Sequence, residues 1–179
     1  MLDAKGDPAN PSHALRSARA IDPARTADPR IRTDIVGQAA SQVAAIPEVR
    51  QTLLAFQRDF AAWPPAGAMG AVIDGRDIGT VIVPAATAKL FIDAKPEVRA
   101  RRRLLELESL GIRREFAQLL AELNARDAAD RSRSISPLKP APDAILLDTS
   151  DLGIDRAFEA ALALVDPKVK TALATRPRG

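Results

Sequence analysis

The sequence predicts an α/β protein, a parallel sheet flanked by helices. Three observations carry that prediction. The 179 residues are 46% apolar and 27% charged, the balance of a folded chain with one real core. Three short apolar runs, AVIDG, KLFIDA and AILLDTS, are continuous rather than alternating, and each ends on an aspartate, at Asp74, Asp93 and Asp148. Runs of that kind mark strands buried on both faces, and segments of helical periodicity lie between them.

The elements follow in order. Residues 1–35 are rich in Pro, Asp, Arg and Ala, and Pro8, Pro11, Pro23 and Pro29 leave room only for short helical pieces. From Val36 to Ala62, Val43, Ile46, Val49, Leu53, Leu54 and Phe60 fall at helical spacing, with Pro47 restarting the helix, so two helices are predicted in succession. PPAGAMG then breaks the pattern ahead of the first apolar run. Helices are predicted over roughly 96–110, 114–127 and 153–165, and KTALATRPRG reads as a frayed basic end.

Composition narrows the chemistry. A net charge of +3 leans toward anionic partners, nucleotides, nucleic acid or phosphates, without choosing among them. The chain has no cysteine, which excludes disulfides and thiolate catalysis, and the single His13 cannot build a zinc site, so no metal site is expected from the residues. No apolar run reaches membrane-spanning length and the opening MLDAKGDPANPS lacks the apolar centre of a signal peptide, so a cytoplasmic protein is expected.

In parallel sheets ligands bind beyond the carboxyl ends of the strands, which singles out the turn after AVID. There Gly75 permits a tight turn, Arg76 offers a planar fork of donors to phosphate oxygens, and Asp77 offers acceptors to an amino or hydroxyl group. The same tetrapeptide is also compatible with a solvated turn whose Arg76 and Asp77 pair with each other. A second constellation, NARDAADRSRSISPLKP, places Arg126, Asp127, Asp130, Arg131 and Arg133 within eight residues. Arg126 with Asp130, and Asp127 with Arg131, stand at the four-residue spacing of helix surface pairs. A third cluster, RARRR, holds Arg99, Arg101, Arg102 and Arg103, with Gly111 interrupting the helical stretch between the two. Two arginine-bearing helices around such a break suit a lid over phosphates; a solvated helix face or a nucleic-acid patch fits the same charges. Five Phe, one Trp and no Tyr leave few stacking platforms, which weighs against single-strand binding.

Taken together, SQVAAIPEVR, IDGRDIGTVIVP, FIDAKPEVRARRRLLEL and RDAADRSRSISPLKPAPDAILLDTS resemble, in order and from about residue 15 to about 165, bacterial cytidylate kinase. The resemblance implies a P-loop-kinase-like fold, a transfer of the ATP γ-phosphoryl group to CMP or dCMP, and ATP with magnesium as donor. It implies that Ser41, Arg50 and Asp77 surround the cytosine and that Arg76 and Arg126 hold the monophosphate. Asp130 and Arg133 would reach the sugar and substrate, and Arg99, Arg102, Arg103 and Arg131 would be lid arginines over the phosphates. Arg76, Arg126 and Arg133 would serve the transfer itself, which asks mainly for positioning and charge stabilisation. The whole chain, 1–179, reads as a single, partial nucleoside-monophosphate kinase domain: 8–63 as the monophosphate-binding region, 71–165 as the core with a lid at about 99–133, and 168–179 as a basic tail. Partners implied are CMP or dCMP and ATP, not a membrane or nucleic acid, with a monomer expected of the complete enzyme.

The sequence also departs from the family pattern. No glycine is followed by lysine, so G-x-x-x-x-G-K-[ST] does not occur, and the family's DTGxxYR segment is missing; LDAKGDP resembles the end of the helix that follows those motifs. Ala85 replaces an aspartate common after the proline, and PPAGAMG is a longer connection. The opening strand, P-loop and helix are therefore expected to be absent from the sheet, leaving neighbours with unpaired backbone and an exposed apolar seam. Three functional readings stand: a cytidylate kinase whose start lies upstream, a truncated chain or pseudoenzyme that binds CMP without transfer, and a basic α/β module for nucleic acid.

Overall fold

The computed structural model describes residues 6–22, 28–65, 67–132 and 136–175. The chain divides into two compact units, residues 1–72 and 73–179.

The first unit is helical. Pro11 opens α1 (Pro11–Arg19), where its missing N–H costs nothing, and the Asn10 side chain caps the end by accepting from the amides of Ser12 at 3.0 Å and His13 at 3.2 Å. His13 has a local role, its Nδ1 accepting from the Asp7 amide at 3.3 Å. A 3₁₀ turn at Pro29–Arg32 leads into α2 (Asp34–Ala44), and Pro47 starts α3 (Pro47–Ala62) as the sequence predicts. The core of this unit is small: Ala14 and Ala18, one turn apart on α1, bury against Val49 of α3, with Leu15, Val43, Ile46 and Leu53 packed around them.

The second unit holds the sheet. β1 (Leu90–Asp93) pairs in parallel with β2 (Ile145–Asp148), in the register Leu90 to Ile145 through Asp93 to Asp148. The crossover carries α4 (Pro96–Ser109) and α5 (Phe116–Ser132), which pack on each other with Ala100, Leu107 and Leu119 buried. Between them Gly111 takes a left-handed φ of 75°, its amide bonding Glu108 O at 2.9 Å while the Ile112 amide bonds Leu107 O at 2.9 Å. That pair of bonds is a Schellman stop, which requires a residue without a β-carbon penalty. α6 (Ile154–Thr175) ends the described chain.

Two expectations are corrected. The run Ala71–Asp74 is not a paired strand: the described sheet has two strands, and Val72 is 98% exposed. An apolar run only competes for strand; it becomes one when a neighbour supplies the ladder. Residues 170–175 of the expected frayed end are helical, because α6 runs through Pro167 to Thr175; the other four residues of that expectation, 176–179, lie outside the described residues. Large apolar side chains are open to solvent in this unit: Ile92 and Leu146 on the strands, and Ile154, Phe158 and Leu162 at four-residue spacing on α6.

Candidate active site

The turn after Asp74 builds the first part of the site. A β-carbon on Gly75 would come within 2.9 Å of Ile78 Cδ1, so the bare backbone lets Ile78 fold back and turn the chain. Asp77 then opens a π-helical turn over Ile78–Ile82, its carbonyl accepting from the Val81 and Ile82 amides at 2.8 and 3.2 Å. Such wide turns are rare and collect at functional positions. The turn aims Arg76 at α5.

On α5 two carboxylates are buried one helical turn apart. Asp130, 3% exposed, accepts from Arg76 Nε at 3.0 Å, and its backbone carbonyl takes the Leu138 amide at 2.9 Å. Asp127, 7% exposed, accepts from Arg99 Nη2 at 2.5 Å. Arg99 also gives Nε–H to the Ala94 carbonyl at 3.0 Å and lies 3.9 Å from Asp93 Oδ1, so it spans the exit of β1 and the flank of α5. The Arg99 hydrogen bond, with the fields of Arg99, Arg131 and Arg76, holds the Asp127 carboxyl below its usual range against the opposing cost of burial. Its partner responds in kind, the Arg99 guanidinium being raised by the same hydrogen bond. Beyond α5, Ser136 is buried with a left-handed φ of 55°, a conformation that costs a non-glycine residue free energy.

The remaining arginines have varied surroundings. Arg102, expected among the lid arginines, bonds the segment that follows β2, with Nη1 on Thr149 Oγ1 at 3.1 Å and Nη2 on the carbonyls of Thr149 at 2.5 Å and Leu152 at 3.0 Å. Arg103 bonds Glu106 at 2.8 Å, and Arg101 lies over the Phe116 ring at 6.0 Å. Arg126 and Arg131 are exposed on α5. The helix-surface pairing expected of Asp127 and Asp130 gives way to longer-range partners, Arg99 and Arg76. Ser41 and Arg50 belong to the first unit, on α2 and α3; the side chain of Ser41 lies outside the described residues, and Arg50 reaches the Ala44 carbonyl at 3.5 Å. Arg133 lies outside the described residues as well.

Next to Arg76 is a cavity of about 130 Å³, lined among others by Asp74, Thr80, Lys89 and Lys139. It is smaller than a typical ligand pocket. Among the described residues no three acidic, His or Cys side chains group as metal ligands, and no helix is long and apolar enough to cross a membrane.

Two buried carboxylates on α5 are thus each met by an arginine from another element, Asp130 by Arg76 from the turn after Asp74 and Asp127 by Arg99 from α4. Comparisons with known proteins give the family. The cytidylate kinase family profile matches residues 14–167. A cytidylate kinase of Paramagnetospirillum magneticum is 51% identical over 162 residues, 90% of this chain and 76% of the relative. Those of Nitrobacter winogradskyi, at 48% over 166 residues, and Rhodospirillum rubrum, at 50% over 162, also span 76% of their own lengths in the match. The chain belongs to the cytidylate kinase family. By family it is a nucleotide kinase, a transferase, and its parallel strands with flanking helices are the α/β arrangement expected of that family.

Within this cytidylate kinase family member, sequence reasoning found Arg76 and Asp130 separately and did not pair them, since they stand 54 residues apart. Nor did it pair Asp127 with Arg99, 28 residues away. The available signal was the three-residue spacing of Asp127 and Asp130, which puts both carboxylates on one face of α5.

Proposed function

We propose that this chain recognises CMP or dCMP as the phosphoryl acceptor of a cytidylate kinase reaction, with Arg76 and Arg126 on the monophosphate and Asp77, with Ser41 and Arg50, on the cytosine. The observation that carries the reading is the Arg76–Asp130 pair, a phosphate-type donor held in place by a carboxylate that is nearly fully buried. Asp77 offers only acceptors, which suits the exocyclic amine of cytosine and not the carbonyl of uracil. Asp130 and Arg133 are assigned to the sugar and substrate, and Arg99, Arg103 and Arg131 to the lid. Arg102 is left out of the phosphate set because its bonds to Thr149 and Leu152, in the segment after β2, give it another use.

ATP is the donor that the family assignment implies, accompanied by magnesium. The residues present do not fit the phosphate loop of that half, since the sequence contains no Gly-Lys pair. No transfer step is derived through either. What the chain's own residues supply is orientation of the acceptor and compensation of phosphate charge, the main demands of this chemistry.

Titration calorimetry with CMP, UMP and cytidine tests the reading. CMP should bind saturably and more tightly than both, by the loss of the amine contact in one case and of the phosphate in the other. Binding that ignores base identity and falls steeply with salt would point instead to nucleic acid. A phosphoryl-transfer assay from ATP to CMP, with an Arg76→Ala/Asp77→Ala double variant purified alongside as the control for contaminating kinase, separates transfer from binding alone.

A further inference from the structure

α5 is fastened by two arginines that come from different parts of the second unit. Arg76 arrives from the turn after Asp74 and meets Asp130; Arg99 arrives from the first turn of α4 and meets Asp127. The two bonds differ in what lies behind them. Arg76 bonds one group on α5, whereas Arg99 also grips the Ala94 carbonyl and approaches Asp93, at the carboxyl end of β1. Because the two carboxylates sit on one rigid helix only three residues apart, a displacement of α5 along its axis moves both together, so the Arg99–Asp127 bond resists any movement that would carry Asp130 away from Arg76.

From this geometry we infer that Asp127 is a positioning residue: through Arg99 it fixes α5 against the end of β1, and so sets where Arg126 and Asp130 stand relative to Arg76. Asp127 makes no contact with substrate in this assignment. Its effect on CMP rests on the acceptor site proposed above; its effect on α5 does not.

The experiment uses the full chain and exploits its lack of cysteine. Spin labels at Glu97→Cys on α4 and Ala128→Cys on α5, both exposed positions, report the α4–α5 separation without any nucleotide. Asp127→Asn, Arg99→Lys and their combination are introduced in that background, and CMP affinity is measured by calorimetry. The tie predicts a broadened label separation in each single variant, a CMP affinity about tenfold weaker, and no further loss in the combination, the non-additivity expected of two residues acting through one bond. Asp127→Glu, which keeps the charge, should recover part of the affinity; a role confined to general stability would shift the unfolding midpoint and leave the label separation of the folded variants unchanged. If Asp127→Asn fails to fold, the label separation in Arg99→Lys carries the test, since CMP affinity in that variant also reads the lid role assigned to Arg99. An unchanged label distribution in the folded variants, or additive losses, overturns the inference. Broadening together with no CMP binding by the unmodified chain upholds the tie and defeats the acceptor reading.

Discussion

Replacing Arg76 with alanine removes a single guanidinium and tests two consequences at once. In the acceptor reading it deletes a charged donor to the monophosphate, worth about 1.5–3 kcal/mol, so the Kd for CMP should rise by roughly 10- to 150-fold. It also takes a partner from Asp130, whose carboxylate is 3% exposed. Removing one member of a fully buried pair costs about 3–5 kcal/mol. Because the Arg76 side chain is 43% exposed, solvent screens the pair and about 1–2 kcal/mol is the better figure. Calorimetry with CMP, run where urea unfolding shows the variant still folded, reads the first effect; the shift in the unfolding midpoint reads the second. Arg76→Lys keeps the charge and loses the planar fork, and should fall between wild type and alanine on both scales. A folded Arg76→Ala chain that binds CMP within twofold of the unmodified one would refute the assignment of the phosphate to this arginine, whatever its stability.

Three further outcomes are expected. Asp77→Asn should erode the preference for CMP over UMP, since an amide can donate to the uracil carbonyl as well as accept; a preference that survives intact places the base elsewhere. Asp127 ionises below its unfolded value of 3.8, so its contribution to stability is present above about pH 4 and lost as the pH falls through the lower folded value. Asp127→Asn should therefore flatten the acid limb of the stability curve. Part of the limb should remain, because Asp143 and Asp148 are lowered too, by the Lys89 hydrogen bond and by the Ser150 hydroxyl and amide. Gly111→Ala should cost about 1 kcal/mol of stability by urea unfolding, the penalty of a side chain at a φ of 75° in the stop between α4 and α5.

The helices were legible because their signals are local. Pro11 and Pro47 begin α1 and α3, Gly111 ends α4, and the buried stripes of Ala14 with Ala18 and of Ala100 with Leu107 follow helical spacing. Two of the three apolar runs were correctly read as parallel strands. The third, Ala71–Asp74, has the same composition and no ladder, since pairing depends on a partner that composition does not contain. The site shows the same division. Arg76 and Asp130 stood out as charges in suggestive places, but the sequence pairs residues at short range first, and it matched Asp130 with Arg126 and Asp127 with Arg131. Burial decides otherwise: a carboxylate on the covered face of α5 is met by whichever arginine another element delivers there, across 54 residues for Asp130 and 28 for Asp127.

The bonds that each arginine already makes separate those that can serve a phosphate from those that hold the fold. A guanidinium has five N–H donors, and the Asp130 bond engages one of them on Arg76, through Nε. A carboxylate behind the guanidinium keeps it oriented, so less side-chain entropy is lost when a ligand arrives. Arg102 is the opposite case: both of its terminal nitrogens bond the segment Thr149–Leu152, which joins β2 to α6, and a phosphate could be met only by giving those bonds up. Arg102→Ala should accordingly lower stability by about 1–2 kcal/mol, the scale of charged hydrogen bonds at a partly exposed site, and leave CMP affinity within about twofold. Arg76→Ala should do the reverse in proportion, with the larger loss in binding. If Arg102→Ala instead weakens CMP binding tenfold with little change in the unfolding midpoint, the lid arginines engage substrate after rearranging, and current bonding does not decide which arginines serve the phosphates.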